Sequence, residues 1–486
     1  MNRLSGLEPQ TVWRYFEEIC MIPRLSKSEE KIRKYLLKFA EDHNLEAKED
    51  STGNILIIKP ASPGFSHIKT VVLQSHMDMV GEKNAGFPHD WKKDPIIPHI
   101  EDGWVTARGT TLGADDGIGI ACQLAILADP DFISGRIECL FTVDEESGMT
   151  GALNLSPDFF EGRTLLNLDS EDEGIIFIGC AGGIDTIGEL EYDTEKHDKE
   201  IEGLMISVTG LRGGHSGDEI HKGYGNAVKI MARILRNLNG RFSISLFNFD
   251  GGNLRNAIPR EAFSVIGTEK QDKQAIIEWI NDFEKTINDE IGDIENELKI
   301  SIKGTDPEGS AIDPSTRDKL INLLTCCPHG VLGWSREMEG LVETSTNLAS
   351  VKFTGNKKIT IVSTQRSSVE SLKKEAAMMV EACLRLAGAS VEHSDGYPGW
   401  KPNPRSEILS VTSKSYKRLF GREPLVKAIH AGLECGLFYE KFRGIDMVSF
   451  GPTIRGAHTP TEKIEIKTVR MFWDLLRDVI INMPAS

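Results

Sequence analysis

The stretch TVVLQSHMDMV, residues 70–80, begins with a short apolar run. Two runs of the same kind follow it, IECLFTV at residues 137–143 and TLLNLD at residues 164–169. Continuous apolar runs of this length are typical of buried strands in a parallel sheet. Residues 116–128 are rich in Ala, Ile and Leu and are followed by an Asp-Pro pair, so they predict a helix between the first two runs. This order predicts βαβ units and an α/β fold.

The residues upstream continue the alternation of helix and strand. Ser26 and Glu29 form a capping-box pattern, which predicts the start of a helix. The apolar residues that follow have the spacing of an amphipathic helix: Ile32, Tyr35, Leu36 and Phe39. A Gly-Asn pair then predicts a turn into the strand NILIIK, residues 54–59.

The pattern changes after about Thr186. Strands and helices then follow in the order β-α-β-β-α-β, and a similar order without the opening strand comes next. The segment DGYPGWKPNP, with three prolines, predicts a linker back to the first domain. We therefore predict a discontinuous catalytic domain, residues 1–186 and 398–486, of phosphorylase/hydrolase-like α/β type with a mostly parallel sheet between helices. The inserted domain, residues 187–397, is predicted to be α+β with two ferredoxin-like halves.

Composition excludes some classes of partner. A chain of 486 residues with 40% hydrophobic content can form two or more domains with cores. The net charge of -17 argues against nucleic acid or an anionic membrane surface, because either would repel the protein, and favours a small neutral or cationic ligand. The eight cysteines lie in apolar stretches without CxxC spacing, which favours buried thiols over disulfides. Since neither a signal peptide nor a run of about 18 apolar residues is evident, we expect a cytoplasmic protein.

Side chains of the kinds that bind metals stand where the predicted strands end or in Gly-rich loops: His76, Asp78, Asp115, Glu145, Glu146, Asp169 and His458. Open α/β sheets bind ligands beyond the carboxyl ends of their strands, so we expect this set at one edge of one sheet. Imidazoles and carboxylates together suit zinc, cobalt or manganese, and a pair of ions requires one bridging carboxylate. The remaining carboxylates are then candidates for acid and base. The set predicts a two-metal hydrolase.

Each motif alone also has a simpler structural interpretation. The His76 and Asp78 pair places two side chains on one face of a strand end, where Asp78 can fix the tautomer of a metal-binding His76, but such pairs more often only pack. An Asp-Asp-Gly turn is more often a helix cap. Glu145-Glu146 alone predicts a solvated turn, Asp169 belongs to a charge run, and His458 could be an ordinary loop histidine. Their joint occurrence in this order favours the metal site.

Several longer motifs occur in sequence order: TTLGADDGIG, DEESGMTGA, GLRGGHSG, GGNLRNAIPR and IHAGLECG. With them, nearly the whole chain resembles the co-catalytic zinc exopeptidase and deacylase family that includes carboxypeptidase G, aminoacylase, tripeptidase and succinyl-diaminopimelate desuccinylase. Within that family the motifs look like the aminoacyl-histidine dipeptidase (Xaa-His dipeptidase) branch.

The resemblance implies two divalent ions per chain, zinc or alternatively cobalt or manganese. It implies that Asp115 bridges both ions, that His76 and Asp169 hold one, and that Glu146 and His458 hold the other.

The same resemblance implies that Asp78 bonds to His76 and orients it, that Glu145 is the general base, and that the Asp115-Asp116 peptide is cis. Catalysis by a nucleophilic serine is disfavoured, because the chain has no G-x-S-x-G motif.

The inserted domain acts as a lid in relatives. His215 and Asn256 match lid residues that reach the substrate carbonyl, often from the other subunit of a dimer, although His215 alone could be a turn histidine. Arg366 occupies the place of an arginine that binds the substrate carboxylate, but the surrounding STQRSS departs from the usual acidic spacing. Glu434 and His430 either line the pocket or cap the following helix.

By resemblance we expect a metal-dependent dipeptidase that hydrolyses unblocked dipeptides, with a preference for Xaa-His substrates similar to carnosine. A second copy in a homodimer is a further expected partner, and nucleic acid and membranes are not. Two alternatives stay open: an N-acyl amino acid deacylase on the same scaffold, and a metal-binding protein without catalysis. The presence of Glu145 beside a complete ligand set argues against the latter.

Overall fold

The structure, a computed structural model, describes residues 3–195 and 201–486. The chain divides into two compact units. Unit 1 contains Met1–Cys180, Trp400–Ala428 and Leu433–Ser486. Unit 2 contains Ala181–Gly399 and the short segment Ile429–Gly432.

The elements follow in chain order. The first part of unit 1 contains α1 (Gln10–Cys20), α2 (Glu30–Asp42), β1 (Glu46–Glu49), β2 (Ile55–Lys59), β3 (Val71–His76), β4 (Pro98–Glu101), β5 (Trp104–Ala107), α3 (Ala114–Ala128), β6 (Ile137–Thr142), α4 (Glu145–Gly148), α5 (Thr150–Asn154), β7 (Thr164–Asn167) and β8 (Ile175–Cys180). Unit 2 contains β9 (Gly182–Glu191), β10 (Glu202–Thr209), a 3-10 helix (Ile220–Lys222), α6 (Ala227–Asn239), β11 (Ile244–Gly251), β12 (Ala262–Thr268), α7 (Lys273–Ile291), β13 (Lys299–Thr305), α8 (Pro314–Cys326), β14 (Gly330–Trp334), β15 (Val342–Thr354), β16 (Lys358–Ser367), α9 (Glu370–Leu386) and β17 (Ser390–His393). The last part contains α10 (Glu407–Phe420), β18 (Leu425–Ile429), α11 (Glu434–Lys441), β19 (Asp446–Ser449), β20 (Ile454–Arg455), β21 (Lys463–Glu465) and α12 (Ile466–Ile481).

Unit 1 is built on an eight-stranded sheet with the order β1-β2-β6-β3-β7-β19-β8-β18. Its middle strands β6, β3, β7 and β19 pair in parallel, as the apolar runs predicted for three of them. Every residue of β3, β6 and β7 is buried. Antiparallel pairs flank these middle strands, since β1 and β2 form an antiparallel hairpin, β2 pairs antiparallel with β6, and β8 pairs antiparallel with β19. A separate antiparallel sheet has the order β20-β21-β5-β4.

The helix predicted after Ser26 is present as α2, but the predicted capping box was wrong. Within the described chain, no side chain caps the start of α2. The Ser26 hydroxyl donates instead to Asp78 Oδ2 at 2.8 Å, and Glu29 Oε1 accepts from the backbone N–H of Asp144 at 3.0 Å. Short polar side chains bond to whichever backbone or carboxylate partner the fold brings close, and here those partners are distant in sequence.

Unit 2 is built on a nine-stranded sheet in which β13-β10-β12-β11-β15-β16-β9-β17 are neighbours and β14 pairs with β15. The first β-α-β-β-α-β half contains β10 to β13 with α6 and α7. The second half contains β15, β16 and β17 with α8 and α9, and β9 supplies the opening strand that its sequence lacks. This half is therefore discontinuous, and residue 187, the predicted start of the inserted domain, lies inside β9.

Buried aliphatic side chains from the helices and strands of unit 2 form one core cluster, which includes Ile234 of α6, Ile276 of α7 and Leu384 of α9. Among the helices that the structure describes, none is both long enough and apolar enough to cross a membrane.

Candidate metal centre

The carboxyl edge of the parallel strands holds most of the predicted metal-binding side chains. His76 is the last residue of β3, Glu145 and Glu146 open α4 just after β6, and Asp169 follows β7. Parallel strands bring their carboxyl ends to the same edge, so sequence-distant residues meet there.

Two more elements of unit 1 complete the set. Asp115 lies at the start of α3, and the Asp115-Asp116 peptide is cis, as the resemblance implied. His458 lies in the loop between β20 and β21, with φ of 63°.

The two carboxylate oxygens of Asp115 face different partners. His76 Nε2 lies 3.1 Å from Asp115 Oδ1 and 3.2 Å from Asp169 Oδ1. His458 Nε2 lies 3.3 Å from Asp115 Oδ2 and 2.9 Å from Glu146 Oε2. The structure thus places Asp115 between two groups that each contain one imidazole and one further carboxylate.

The geometry of these groups fits divalent ions. Candidate ligand atoms lie within 4.8 Å of one another in the sets His76-Asp115-Asp169, His76-Glu145-Glu146 and Asp115-Glu146-His458. Glu146 Oε1 is buried and has no hydrogen-bond partner among the described residues. A buried carboxylate oxygen without a partner is costly, and a cation would satisfy it. Imidazole nitrogen and carboxylate oxygen are ligands that suit zinc, cobalt or manganese.

Electrostatics at the site also favours positive charge. Burial alone would lower the pKa of His76, but the carboxylates of Asp169, Asp115 and Asp78 raise it well above its usual value. Hydrogen bonds to Asp115 and Glu146 raise the pKa of His458 to about 11. The clustered carboxylates therefore stabilise a cation at this edge of the sheet.

Asp78 is fully buried and has two sets of contacts. Its Oδ1 lies 3.4 Å from His76 Nδ1, the contact predicted for a group that fixes the histidine tautomer. Its oxygens also accept from the backbone N–H of Glu145 at 3.0 Å and of Glu146 at 3.1 Å. The sequence did not indicate the second role, because backbone donors leave no mark in a sequence. Asp78 thus joins the end of β3 to the start of α4.

Glu145 is a partly buried acid beside other acids. Burial, together with the nearby Glu434, Glu146 and Asp115, raises its pKa to about 8, although His76 opposes this. A carboxylate with a raised pKa can accept a proton near neutral pH.

Glu434 is not a helix cap. Its Oε2 accepts from Gln74 Nε2 at 2.7 Å and from the Thr142 hydroxyl at 2.8 Å, and no side chain of the described residues caps α11. Its Oε1 is buried without a hydrogen-bond partner in the part of the chain that the structure describes, and burial raises the pKa of the group to about 7. His430 belongs to unit 2, where its Nε2 lies 2.7 Å from Ser345 Oγ, so it is not a cap either.

Two further charged residues, Arg24 and Glu462, are buried at the site and were not predicted from the sequence. Arg24 donates to backbone carbonyls of the site loops, and Glu462 accepts from backbone N–H groups ahead of α3. The sequence signal was weak, since Arg24 is an isolated basic residue and Glu462 lies in an ordinary polar loop four residues after His458.

The predicted substrate residues of the inserted domain lie in unit 2. Arg366, on β16, is buried and donates to the Tyr397 hydroxyl at 2.6 Å, while its Nε has no partner within the described residues. Asn256 is exposed in the loop between β11 and β12. Both line a cavity of about 580 Å³ within unit 2. A second cavity, of about 490 Å³, is lined by Asn256 and His215.

Two backbone donors face one ring nitrogen of His215. The backbone N–H groups of Gly217 and Asp218 donate to His215 Nδ1 at 3.3 and 3.1 Å. Burial and the charge of Arg366 lower the pKa of this histidine. With these two N–H groups donating to Nδ1, the neutral ring carries its proton on Nε2, which makes Nε2–H a hydrogen-bond donor.

Comparison with known proteins relates the whole chain to peptidases. The model of "Peptidase family M20/M25/M40" matches residues 72–482. The chain is 42% identical over 486 residues to the cytosol non-specific dipeptidase of Escherichia coli (strain K12), covering 100% of each chain. The solved aminoacylhistidine dipeptidase from Vibrio alginolyticus is similar in structure, with a TM-score of 0.94 and 41% identity over 99% of this chain and 98% of that one.

A more distant solved structure, the aminopeptidase PepT from Bacillus cereus ATCC 10987, has a TM-score of 0.58 and 18% identity, with 98% of each chain covered, and shows a shared fold. The family resemblance inferred from the motifs is confirmed. The predictions of a mixed α/β fold and of an enzyme that hydrolyses peptide bonds are confirmed as well. The chain belongs to the peptidase family M20/M25/M40.

Proposed function

We propose that this chain is a metal-dependent dipeptidase that hydrolyses unblocked dipeptides, with Xaa-His dipeptides preferred. The observation that carries the proposal is the position of Asp115, whose two oxygens face two separate groups of an imidazole and a carboxylate. The names of two similar proteins, a non-specific dipeptidase and an aminoacylhistidine dipeptidase, support the substrate class. The preference for histidine rests on the second name and on the motif resemblance.

The proposed cofactor is a pair of divalent ions, zinc or alternatively cobalt or manganese. Asp115 would hold both ions, His76 and Asp169 would hold one, and Glu146 and His458 would hold the other. Such a pair, when bound, lowers the pKa of a water molecule and polarises the scissile carbonyl.

The side chains of unit 1 then move and hold protons. Glu145 accepts a proton from the attacking water and delivers it to the leaving amine as the peptide bond breaks. Asp78 accepts the Nδ1–H of His76, with its backbone carbonyl at 3.2 Å and its carboxylate at 3.4 Å, and thereby keeps Nε2 of His76 unprotonated and available as a ligand.

For unit 2 we propose contacts to the substrate itself. His215 donates its Nε2–H to the carbonyl oxygen as negative charge develops there. Arg366 binds the C-terminal carboxylate, because its buried guanidinium offers donors to a cavity, and Asn256 lines the same cavity. Glu434 is the remaining candidate substrate contact. Location in the cytosol, supported by the name of the Escherichia coli protein, and a homodimer are further proposals.

One comparison of substrates tests the dipeptidase proposal. Ion-loaded protein should hydrolyse Leu-His faster than Leu-Gly, and it should leave N-acetyl-Leu-His intact, because an unblocked dipeptide carries the free amine that the proposal requires. Product amino acids are measured by chromatography, with chelator-treated protein as the control. Cleavage of the acetyl group would instead indicate a deacylase, and no hydrolysis of any substrate would indicate a metal-binding protein without catalysis.

The replacement His215→Ala tests the role of the lid residue. Turnover should fall by about 10²-fold or more while the Michaelis constant changes little, since a donor to the oxyanion acts mainly in the transition state. Melting temperature and ion content should stay nearly unchanged. His393→Ala is a matched control, because His393 also lies in unit 2 and is partly buried. If His215→Ala lowers stability and leaves turnover per folded molecule intact, His215 is a packing residue.

A further inference from the structure

Four consecutive backbone N–H groups at the start of α3 point to one carboxylate. Glu462 Oε2 accepts from Leu112 at 2.7 Å and Gly113 at 2.9 Å, and Oε1 accepts from Ala114 at 2.7 Å and Asp115 at 3.3 Å. Asp115 and Asp116 have non-helical φ/ψ angles, so these four N–H groups lie ahead of the regular turns of α3 and have no partner within them. The residue that precedes α3 is a glycine without a side chain. A buried carboxylate from a distant loop therefore satisfies all four donors.

The loop that supplies Glu462 also supplies His458. His458 Nε2 lies 3.3 Å from Asp115 Oδ2, whereas Glu462 accepts from the backbone N–H of the same aspartate. The Thr106 hydroxyl donates to the backbone carbonyl of Glu462 at 2.8 Å and fixes the end of this loop. One loop thus contacts Asp115 at both its side chain and its backbone.

Arg24 donates hydrogen bonds to a carbonyl group of this segment and to carbonyl groups just after β3. Its guanidinium donates to the carbonyl of Met77 at 2.9 Å and to the carbonyls of Asp78 and Gly113. A Cβ atom built on Gly117 would lie 2.7 Å from Arg24 Nη2, so the guanidinium fills the space beside the start of α3. Arg24 therefore joins the end of β3, which carries His76, to the segment that carries Asp115.

We infer that Glu462 is a positioning residue whose carboxylate sets the orientation of Asp115 toward both ions. The inference rests on the proposed pair of ions and adds a residue that holds neither of them. Asp115 serves both groups only while each of its oxygens faces one group, and its backbone direction is fixed by the contacts to Glu462. A glutamine in place of Glu462 accepts through one oxygen only, and its NH₂ group faces backbone N–H donors. The affinity of the protein for both ions should therefore depend on the negative charge of the Glu462 carboxylate.

The test measures ion affinity in Glu462→Gln. Protein freed of ions with a chelator is titrated with Zn²⁺ in competition with a chromophoric chelator, and wild type should bind two ions per chain. In Glu462→Gln we expect both ions to bind about 10–100-fold more weakly, the range seen when a group that orients a metal ligand is removed. A purely structural role would instead lower the melting temperature of the ion-free protein without changing the affinity of the folded fraction.

Glu138→Gln is the matched control. Glu138 is also a fully buried acid of unit 1, and its Oε2 accepts from the backbone N–H of Glu161 at 3.0 Å and Gly162 at 2.8 Å. Its replacement should leave both ion affinities unchanged. If Glu462→Gln does not fold, Glu462→Asp is tested in its place. The shorter aspartate side chain withdraws the carboxylate from the N–H groups, so both ions should again bind more weakly.

The outcomes separate the two proposals. Wild-type affinity for both ions in the folded Glu462 variant, or loss of one ion alone, overturns the positioning role and leaves the proposed function standing. A wild-type protein that binds no ion overturns both.

Discussion

Replacement of Asp115 by alanine should remove both ions from the protein. Each oxygen of Asp115 faces one of the two groups, so alanine takes a ligand from both at once. We expect ion content to fall from two per chain to none at ion concentrations that saturate the wild type. Turnover should fall by on the order of 10³-fold or more, because bound ions contribute several kcal/mol to transition-state stabilisation and about 1.4 kcal/mol corresponds to a factor of ten. Elemental analysis after gel filtration and a peptidase assay measure the two effects.

Two further variants define what this result means. His458→Ala should loosen one ion and leave the other, since His458 contacts only one of the groups. Asp172→Ala is the control, because Asp172 belongs to the same run of acids as Asp169 but pairs with Arg455 at 2.9 Å. Full retention of both ions in the Asp115 variant would show that another carboxylate bridges them.

The grouping of His76, Glu146 and Asp169 could be predicted from sequence because the physical rule behind it is simple. Buried parallel strands appear as continuous apolar runs, and their carboxyl ends meet at one edge of the sheet. The polar residue that ends each run therefore lies near the others, whatever the length of chain between them. Asp115 and His458 do not end a predicted strand, and their separate roles, a bridge between both ions and a ligand of one, came from the family resemblance.

Contacts between distant segments could not be predicted in this way. Ser26 and Glu29 have the spacing of a capping box, but they bond to Asp78 and to the backbone of Asp144. The spacing of residues in sequence describes local options, whereas the fold decides which buried donors lack a partner. The contacts of Glu462 could not be predicted for the same reason, because the four N–H groups from which it accepts hydrogen bonds have no sequence signature.

Local sequence patterns also could not predict that β9 pairs with strands that lie far along the chain. The second half of unit 2 lacks an opening strand in its own stretch of sequence, and β9, which precedes the first half, supplies it. The ten residues of β9 include Gly182, Gly183 and Gly188, and glycine lowers the strand signal. Only the antiparallel register with β16 and β17 reveals its place.

The variant Glu145→Gln should separate chemistry from ion binding. Glutamine keeps the size of the side chain but does not accept the proton of the attacking water, so turnover should fall by about 10²–10⁴-fold, the usual contribution of a general base. Ion content should stay at the wild-type value, because the closest contacts of His76 and His458 are to Asp115, Asp169 and Glu146.

The pH profile gives a second, independent measurement of the same role. A general base acts only when ionised, so wild-type turnover should rise with pH until its carboxyl group has lost its proton. Burial raises the pKa of Glu145 in the ion-free protein, and bound cations would oppose that shift, so the pH at which turnover rises measures the balance of the two effects. In Glu145→Gln the residual activity should lose this rise. Near-normal turnover, or a normal pH profile at reduced turnover, would place the general base on another residue, and Glu434, the buried neighbour with its own unpartnered oxygen, would then be tested first.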